Sequence, residues 1–82
     1  MYYTCILQSQ KTGRYYIGST VNIDLRLARH NSGHNLSTKA YLPWILKYSE
    51  TFETLTAARR REKLFKSWKN PDYMLANLGL SR

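Results

Sequence analysis

The sequence has little cysteine, few acidic residues and no long apolar run. Its single cysteine, Cys5, cannot form an internal disulfide, and a zinc site built from several cysteines is excluded. No run of about eighteen apolar residues is present, so no transmembrane helix is expected. The first residues lack the basic and apolar regions of a secretory signal. These absences favour a reducing compartment, and we expect the protein to be cytoplasmic and not to be embedded in a membrane.

The scarcity of acid leaves a strong positive charge. The chain has 13 Lys and Arg against 5 Asp and Glu, a net charge of +8 on 82 residues. Such an excess opposes compaction and is usually tolerated because something anionic is bound. Nucleic acid is the first candidate partner and an acidic membrane the second, while a solvated basic surface is the alternative. The length predicts one domain, residues 1–82, and an apolar content of 43% is enough for one compact core.

Apolar periodicity predicts an α+β fold with the element order β-β-α-β-α-α. The first two strands should pair as an antiparallel hairpin, with Gly18-Ser19-Thr20 as the turn that leads from the second strand into a helix. We therefore expect a three-stranded, mainly antiparallel sheet flanked by helices. The predicted strands are Tyr2–Leu7, Arg14–Gly18 and Trp44–Glu50, and the predicted helices are Asn22–Asn31, Leu55–Lys69 and Tyr73–Leu80.

The stretch from Tyr15 to Asn31 combines a strand, a glycine turn and a helix start. Backbone N–H groups at such a turn commonly bind phosphate. Arg26 and His30 follow on one face of the predicted helix, four residues apart. Two such groups side by side indicate a bound anion or carboxylate, or else two surface side chains lying over apolar neighbours. The polar connection His34–Tyr41 is also of a kind that often touches a ligand.

Glu62 stands out in the long predicted helix because it lies on the apolar stripe. It comes four residues after Ala58 and three before Phe65, where a bare carboxylate would be expensive to bury. It is therefore paired or coordinated; the alternatives are a ligand site, a salt bridge to a neighbouring arginine, or a position at the edge of the stripe. The other faces carry basic residues that form a solvated surface or a rail for phosphates: Arg59, Arg60, Lys63, Lys66 and Lys69.

Four features in this order resemble the GIY-YIG nuclease family. They are Tyr16-Ile17-Gly18, Arg26 ten residues after Tyr16, His30 four residues further on, and Arg61-Glu62-Lys63 in a late helix. The chain is most similar to the small stand-alone bacterial members of the family. The similar segments span Tyr2 to about Asn70, which is most of the chain.

The resemblance implies a fold, an activity and roles for single residues. The fold is a three-stranded antiparallel sheet with helices, and the activity is hydrolysis of a DNA phosphodiester with one divalent ion, Mg²⁺ or Mn²⁺. Glu62 matches the metal-binding glutamate, and Arg26 matches the arginine that stabilises charge on the scissile phosphate. Tyr16 would line the site and help to orient or deprotonate water, and His30 would transfer a proton or contact phosphate. No small-molecule cofactor is implied. Residues expected to contact nucleic acid are Tyr3, Lys39, Arg59, Arg60, Lys63 and Lys66.

Cys5 departs from the family pattern. It occupies the position of a catalytic tyrosine in the first half of the motif, although Tyr3 points to the same face of the strand. Two hypotheses follow: a metal-dependent DNA endonuclease acting on structure- or damage-related substrates, and a catalytically weakened or inactive nucleic-acid-binding module on the same fold. A third and weaker one is an adaptor whose basic helix meets an acidic protein.

Overall fold

The structure, a computed structural model, describes residues 1–33 and 39–80. The described residues contain three strands and three helices. The strands are β1 (Tyr2–Ser9), β2 (Tyr15–Thr20) and β3 (Trp44–Phe52), and the helices are α1 (Ile23–Asn31), α2 (Leu55–Ser67) and α3 (Pro71–Asn77). No helix within these two ranges is long and apolar enough to cross a membrane.

The three strands form one antiparallel sheet in the order β2-β1-β3. β1 is therefore central, and β2 and β3 are the two edges. Cys5 pairs with Gly18 on β2 and with Ser49 on β3. This arrangement confirms the predicted α+β fold with a three-stranded antiparallel sheet.

The central strand is buried on both faces, because helices cover both sides of the sheet. Four consecutive residues of β1, Thr4 to Leu7, are buried. Thr4 is the polar member of this run, and its hydroxyl donates to the carbonyl oxygen of Ala58 at 2.6 Å. That hydrogen bond satisfies the buried hydroxyl and ties α2 to the sheet.

Two apolar clusters mark the two faces of the sheet. On one face Ile6 packs with Phe65 of α2 and with Met74 and Leu75 of α3. On the other face Cys5 and Leu7 pack with Trp44, and Leu27 of α1 lies against this cluster. Alternate residues of β1 thus face opposite layers, and the described residues form three layers: α1, the sheet, and the α2–α3 pair.

The structure corrects several predicted boundaries. Gly18, Ser19 and Thr20 lie within β2 rather than in a turn, because Ser19 and Thr20 pair with Thr4 and Tyr3. β1 continues to Ser9, and β3 continues to Phe52. The strands are longer than predicted because ladder pairing, a long-range effect, overrides the local turn preference of Gly-Ser-Thr.

The helix boundaries follow their capping residues. Asn22, Thr54 and Asn70 each accept a backbone N–H from the first turn of the helix that follows. α2 ends at Ser67, two residues earlier than predicted, and α3 begins at Pro71 and ends at Asn77 instead of spanning Tyr73–Leu80. α2 thus ends before Pro71 is reached, and Pro71 occupies the first position of the next helix, where its missing N–H costs nothing.

Candidate active site

The candidate site lies at the outer edge of β2, where side chains from both faces of the sheet meet. Tyr16 and Gly18 face α1, since they are paired with Leu7 and Cys5 of that side. Ser19 faces α2, where it meets Glu62. β2 is an edge strand, so side chains from α1 and α2 can approach each other around it.

Arg26 reaches from α1 across Gly18 to this edge. Its Nη2 donates to the hydroxyl oxygen of Tyr16 at 3.1 Å, and its Nη1 donates to the backbone carbonyl of Ser19 at 3.4 Å. A Cβ atom built on Gly18 would lie 2.9 Å from Arg26 Nη2. The close approach of the guanidinium therefore depends on the absence of a side chain at position 18.

His30 lies beneath Tyr16. Their ring centroids are 4.5 Å apart, and the Trp44 ring lies 6.2 Å from His30. His30 is only 4% exposed. Burial, followed by the positive charge of Arg26, lowers the pKa of His30 below its usual value. The imidazole is therefore neutral at physiological pH and supports the tyrosine ring.

Glu62 approaches the same edge from α2. Its Oε1 accepts from Ser19 Oγ at 2.6 Å, and its Oε2 accepts from Lys66 Nζ at 2.7 Å. Burial by itself would raise the pKa of Glu62, but hydrogen bonds from Lys66 and Ser19, with the charges of Lys66 and Arg26, lower it overall. Glu62 is thus an ionised, half-buried carboxylate in a positive environment.

An open cleft of about 530 Å³ joins the two halves of the site. Arg26 from α1 and Glu62 from α2 both line it, together with Ser19. The rest of its lining comes from α2: Leu55, Arg59, Lys63 and Lys66. The cleft therefore combines one carboxylate with four positive side chains, a composition that suits an anionic ligand and a cation held beside it.

The other residues predicted to contact nucleic acid or to act in catalysis lie in different places. Arg60 is exposed on α2 and Lys39 is exposed ahead of β3, and neither lines the cleft. Tyr3 is half-buried and pairs with Thr20. Tyr16 touches Arg26 but is not part of the cleft lining. Residues 34–38, which form most of the polar connection expected to touch a ligand, lie outside the described residues.

Cys5 is buried opposite Gly18 and does not line the cleft. Burial raises the pKa of its thiol, the Arg26 charge opposes that shift, and the Glu62 charge adds to it; the pKa ends above its usual value. Cys5 is therefore a protonated core thiol at neutral pH.

A single carboxylate fits only a loosely held metal ion. Across residues 1–33 and 39–80, no group of three or more His, Cys, Asp and Glu side chains could hold a metal. Glu62 is nevertheless an ionised oxygen donor at an open cleft, and the side chain of its partner Lys66 is 56% exposed. Mg²⁺ keeps several waters and binds through one or two carboxylates plus phosphate oxygens. The residues present fit an ion of that kind.

The partners of Glu62 were not foreseen from the sequence, which suggested a neighbouring arginine. Lys66 is four residues after Glu62, the favoured order for an ion pair on a helix, so its spacing could have indicated it. Ser19 could be found only from the strand register. The neighbouring Arg61 binds Glu50 of β3 instead, at 2.7 Å between Nε and Oε1.

A comparison with protein-family models matches residues 1–77 to the GIY-YIG catalytic domain. This chain belongs to the GIY-YIG family. GIY-YIG domains are nuclease-type domains that bind nucleic acid and generally depend on a divalent metal ion. The resemblance seen in the sequence is thus confirmed for almost the whole chain.

Relatives of this GIY-YIG chain carry the name UPF0213 protein. One from Streptococcus pneumoniae is 44% identical over 62 residues, which cover 74% of this chain and 63% of the relative. One from Bacillus cereus is 44% identical over 55 residues, 66% of this chain and 57% of the relative. One from Staphylococcus haemolyticus is 37% identical over 59 residues, which cover 71% of this chain and 72% of the relative. The chain thus spans about three-fifths of the length of the first two relatives. No solved structure matches it.

Proposed function

We propose that the protein is a metal-dependent DNA endonuclease that hydrolyses phosphodiester bonds in the cleft at the edge of β2. The observation that carries this proposal is the meeting of Arg26 and Glu62 in one open cleft lined otherwise by basic residues. The two side chains come from different helices on opposite faces of the sheet. An acidic and a basic side chain from separate helices therefore face the same open cleft.

Glu62 would hold the divalent ion, Mg²⁺ or Mn²⁺. Lys66 would then move away from the Glu62 carboxylate and bind a phosphate of the DNA. Lys66 is well suited to this exchange, since it is exposed and carries a long flexible side chain. The bound ion would neutralise charge on the phosphate and lower the pKa of a water molecule. Ser19, through its hydroxyl on Oε1, fixes the orientation of the carboxylate.

Arg26 would bind a non-bridging oxygen of the scissile phosphate and stabilise the charge that develops there. Its position is fixed before substrate binds, by Tyr16 on one side and the Ser19 carbonyl on the other. Tyr16 is in turn held by the neutral ring of His30. We therefore assign Arg26 a direct role, and Tyr16 and His30 the role of positioning it.

The site at Cys5 favours a second candidate, a nucleic-acid-binding module with little or no cleavage. Cysteine stands where the family has a tyrosine, so β1 supplies no phenol hydroxyl at this position. The thiol itself is buried and protonated. Arg26, Arg59, Lys63 and Lys66 would still bind phosphates. Cleavage measured against binding distinguishes the two candidates.

The substrate follows from the shape of the cleft and from analogy with the fold family. The cleft is open, and three of its four cations lie along one helix, α2; such features bind the phosphate backbone without reading bases. We therefore propose that the substrate is branched, nicked or damaged DNA and not DNA of a defined sequence. The compartment that we propose is the cytoplasm.

The test is a cleavage assay on branched, nicked and single-stranded DNA with Mn²⁺. Glu62→Gln removes the charge of the carboxylate and keeps its size, and it should lower the rate by at least about a hundredfold while DNA binding in EDTA persists. Arg29→Ala is the control, because Arg29 is exposed on α1 and lies outside the cleft. Cleavage by Glu62→Gln at the wild-type rate would overturn the mechanism. Binding without cleavage by the wild type would favour the second candidate.

A further inference from the structure

A second cavity of about 570 Å³ opens beside β2, next to the cleft. Its walls come from the β1–β2 turn, from β2, from the end of α2 and from the start of α3. Its lining includes four aromatic residues, Tyr15, Tyr16, Phe65 and Trp68, and three basic residues, Arg14, Lys66 and Lys69. No acidic side chain lines it. The mechanism proposed above uses Tyr16 and Lys66 at the border of this cavity and assigns no role to Tyr15, Trp68 or Lys69.

The aromatic walls of the cavity pack against the core and against one another. Trp68 stacks on the buried ring of Phe65, with centroids 5.5 Å apart and planes inclined by 29°, and meets the Tyr73 ring edge-on at 6.2 Å. Tyr15 packs against the same core cluster, and its hydroxyl accepts from Gln8 Nε2 at 3.2 Å. Half-buried aromatic rings held in this way are platforms on which nucleic-acid bases stack at low entropic cost.

The charge at the mouth of the cavity complements a nucleic-acid backbone. Lys66 and Lys69 are both exposed and both line the cavity. Arg14 is held in place by Tyr41, with its guanidinium carbon 5.1 Å from the ring centroid. Apolar aromatic walls with cations at the mouth match a nucleotide, which has an apolar face and an anionic phosphate.

The cavity and the cleft adjoin at one residue of α2. Lys66 lines both. Tyr15 and Ser19 lie on the same face of β2, four residues apart, and their Cα atoms are therefore about 13 Å apart along the strand. A nucleic-acid strand with a phosphate in the cleft can thus place a nearby base in the cavity, provided that the base is not paired.

We propose that this cavity binds one unpaired base of the strand whose phosphate lies in the cleft. The link to cleavage rests on the proposed nuclease function, whereas the binding of an unpaired base does not. The cavity would give the protein a preference for DNA with single-stranded or extruded nucleotides, because a base within an intact duplex is stacked and unavailable.

The test measures binding by the full chain in EDTA, with three probes: a short oligothymidine, an abasic oligomer of the same length, and a duplex. Trp44 is buried, so Trp68 should report on the cavity through its fluorescence. The oligothymidine should bind at least about fivefold more tightly than the abasic oligomer and should quench the fluorescence. Equal affinities for these two oligomers, or fluorescence that does not respond, would overturn the proposal.

Two variants locate the bound base. Trp68→Phe keeps an aromatic ring on Phe65 and should abolish the fluorescence change, leaving a constant Trp44 signal. Lys69→Ala should weaken oligothymidine binding more than Arg29→Ala does. Arg29→Ala also removes one positive charge, but Arg29 lines neither the cavity nor the cleft. Full quenching in Trp68→Phe, or equal effects of the two charge removals, would place the base elsewhere and contradict the proposal.

The outcomes are separable from those for cleavage. If the wild type distinguishes oligothymidine from the abasic oligomer but cuts no DNA with Mn²⁺, the cavity stands and the nuclease function fails. If it cuts DNA and shows no preference for unpaired bases, the nuclease function stands and the cavity proposal fails.

Discussion

Gly18 determines how closely Arg26 can approach the edge of β2. An alanine Cβ would lie 2.9 Å from Arg26 Nη2 and 3.3 Å from the Tyr16 ring, closer than such atoms pack. We expect Gly18→Ala to displace the guanidinium and to lower the cleavage rate by about a hundredfold, the cost of a misplacement near 1 Å. The φ angle at Gly18 is not positive, so the backbone is not strained by the substitution.

The measurement is the single-turnover cleavage rate together with the midpoint of urea unfolding. A cleavage rate close to that of the wild type in a folded Gly18→Ala protein would show that the position of Arg26 is not fixed by contact with this residue.

His30 should make stability depend on pH. Its pKa is lowered in the folded protein by burial and by Arg26, so the unfolded chain binds a proton more readily. The stabilisation is therefore complete above the ordinary histidine pKa of about 6.5, and it is lost as the pH falls below that value. We expect the free energy of unfolding to fall between about pH 7 and pH 5.

Urea unfolding across this range is the measurement. In His30→Gln the decline should be smaller than in the wild type, whatever the stability of the variant at pH 7. An equally steep decline in both proteins would mean that other groups carry the pH dependence.

Individual residues of the site could be named from the sequence, but their contacts could not. Glu62 stands out because a carboxylate interrupts an apolar stripe, and Arg26 because it lies beside His30 on one helix face, where two such groups indicate a bound anion. The roles expected for Tyr16, His30 and the basic residues stay predictions. What the sequence could not provide was the meeting of Ser19 with Glu62, because that contact depends on the register between β1 and β2.

At the scale of elements, α2 is attached to the sheet by a polar cluster as well as by its apolar face. Arg61 donates from Nε and Nη2 to the two oxygens of Glu50 at 2.7 and 3.2 Å, and the Tyr48 hydroxyl donates to Glu50 at 2.6 Å. We expect Arg61→Leu to lower the free energy of unfolding by about 1 kcal/mol, since the pair is partly exposed and only part of its strength is realised.

Arg60→Leu is the matched control, because Arg60 is the exposed neighbour on the same helix. It should change stability by less than about 0.5 kcal/mol, as most surface substitutions do. Equal losses in the two variants, measured by urea unfolding, would show that the Arg61–Glu50 pair does not anchor α2.

The order and type of the elements could be predicted, but their boundaries could not. Apolar periodicity and runs of aromatic and β-branched residues indicate the strands and helices and their order. Gly18-Ser19-Thr20 was predicted as a turn because local preference favours one, whereas pairing with β1 keeps it in a strand. Such pairing joins residues far apart in the chain, and local patterns do not contain it.

The protein has a net charge of +8, and part of this charge lies on α2, where Arg59, Lys63 and Lys66 line the cleft. DNA binding should therefore weaken steeply with salt, through release of counterions. We expect Arg59→Ala and Lys63→Ala each to reduce the slope of log Kd against log salt concentration by about 1, while Arg29→Ala leaves it nearly unchanged.

Fluorescence anisotropy of labelled DNA at several salt concentrations measures these slopes. If all three variants behaved alike, the phosphates would be bound by the overall charge of the protein, and the cleft would not be the DNA-binding surface.

We propose that Arg26 and Glu62 act together on one phosphate. A crystal structure with Mn²⁺ and a DNA strand carrying a non-cleavable linkage tests this pairing, because the ion is located by its anomalous scattering. We expect Mn²⁺ bound to the Glu62 carboxylate, Lys66 moved from that carboxylate to a phosphate, and Arg26 on the phosphate that the ion also contacts. An ion bound elsewhere, with Lys66 still paired to Glu62 and the phosphate away from Arg26, would contradict the account.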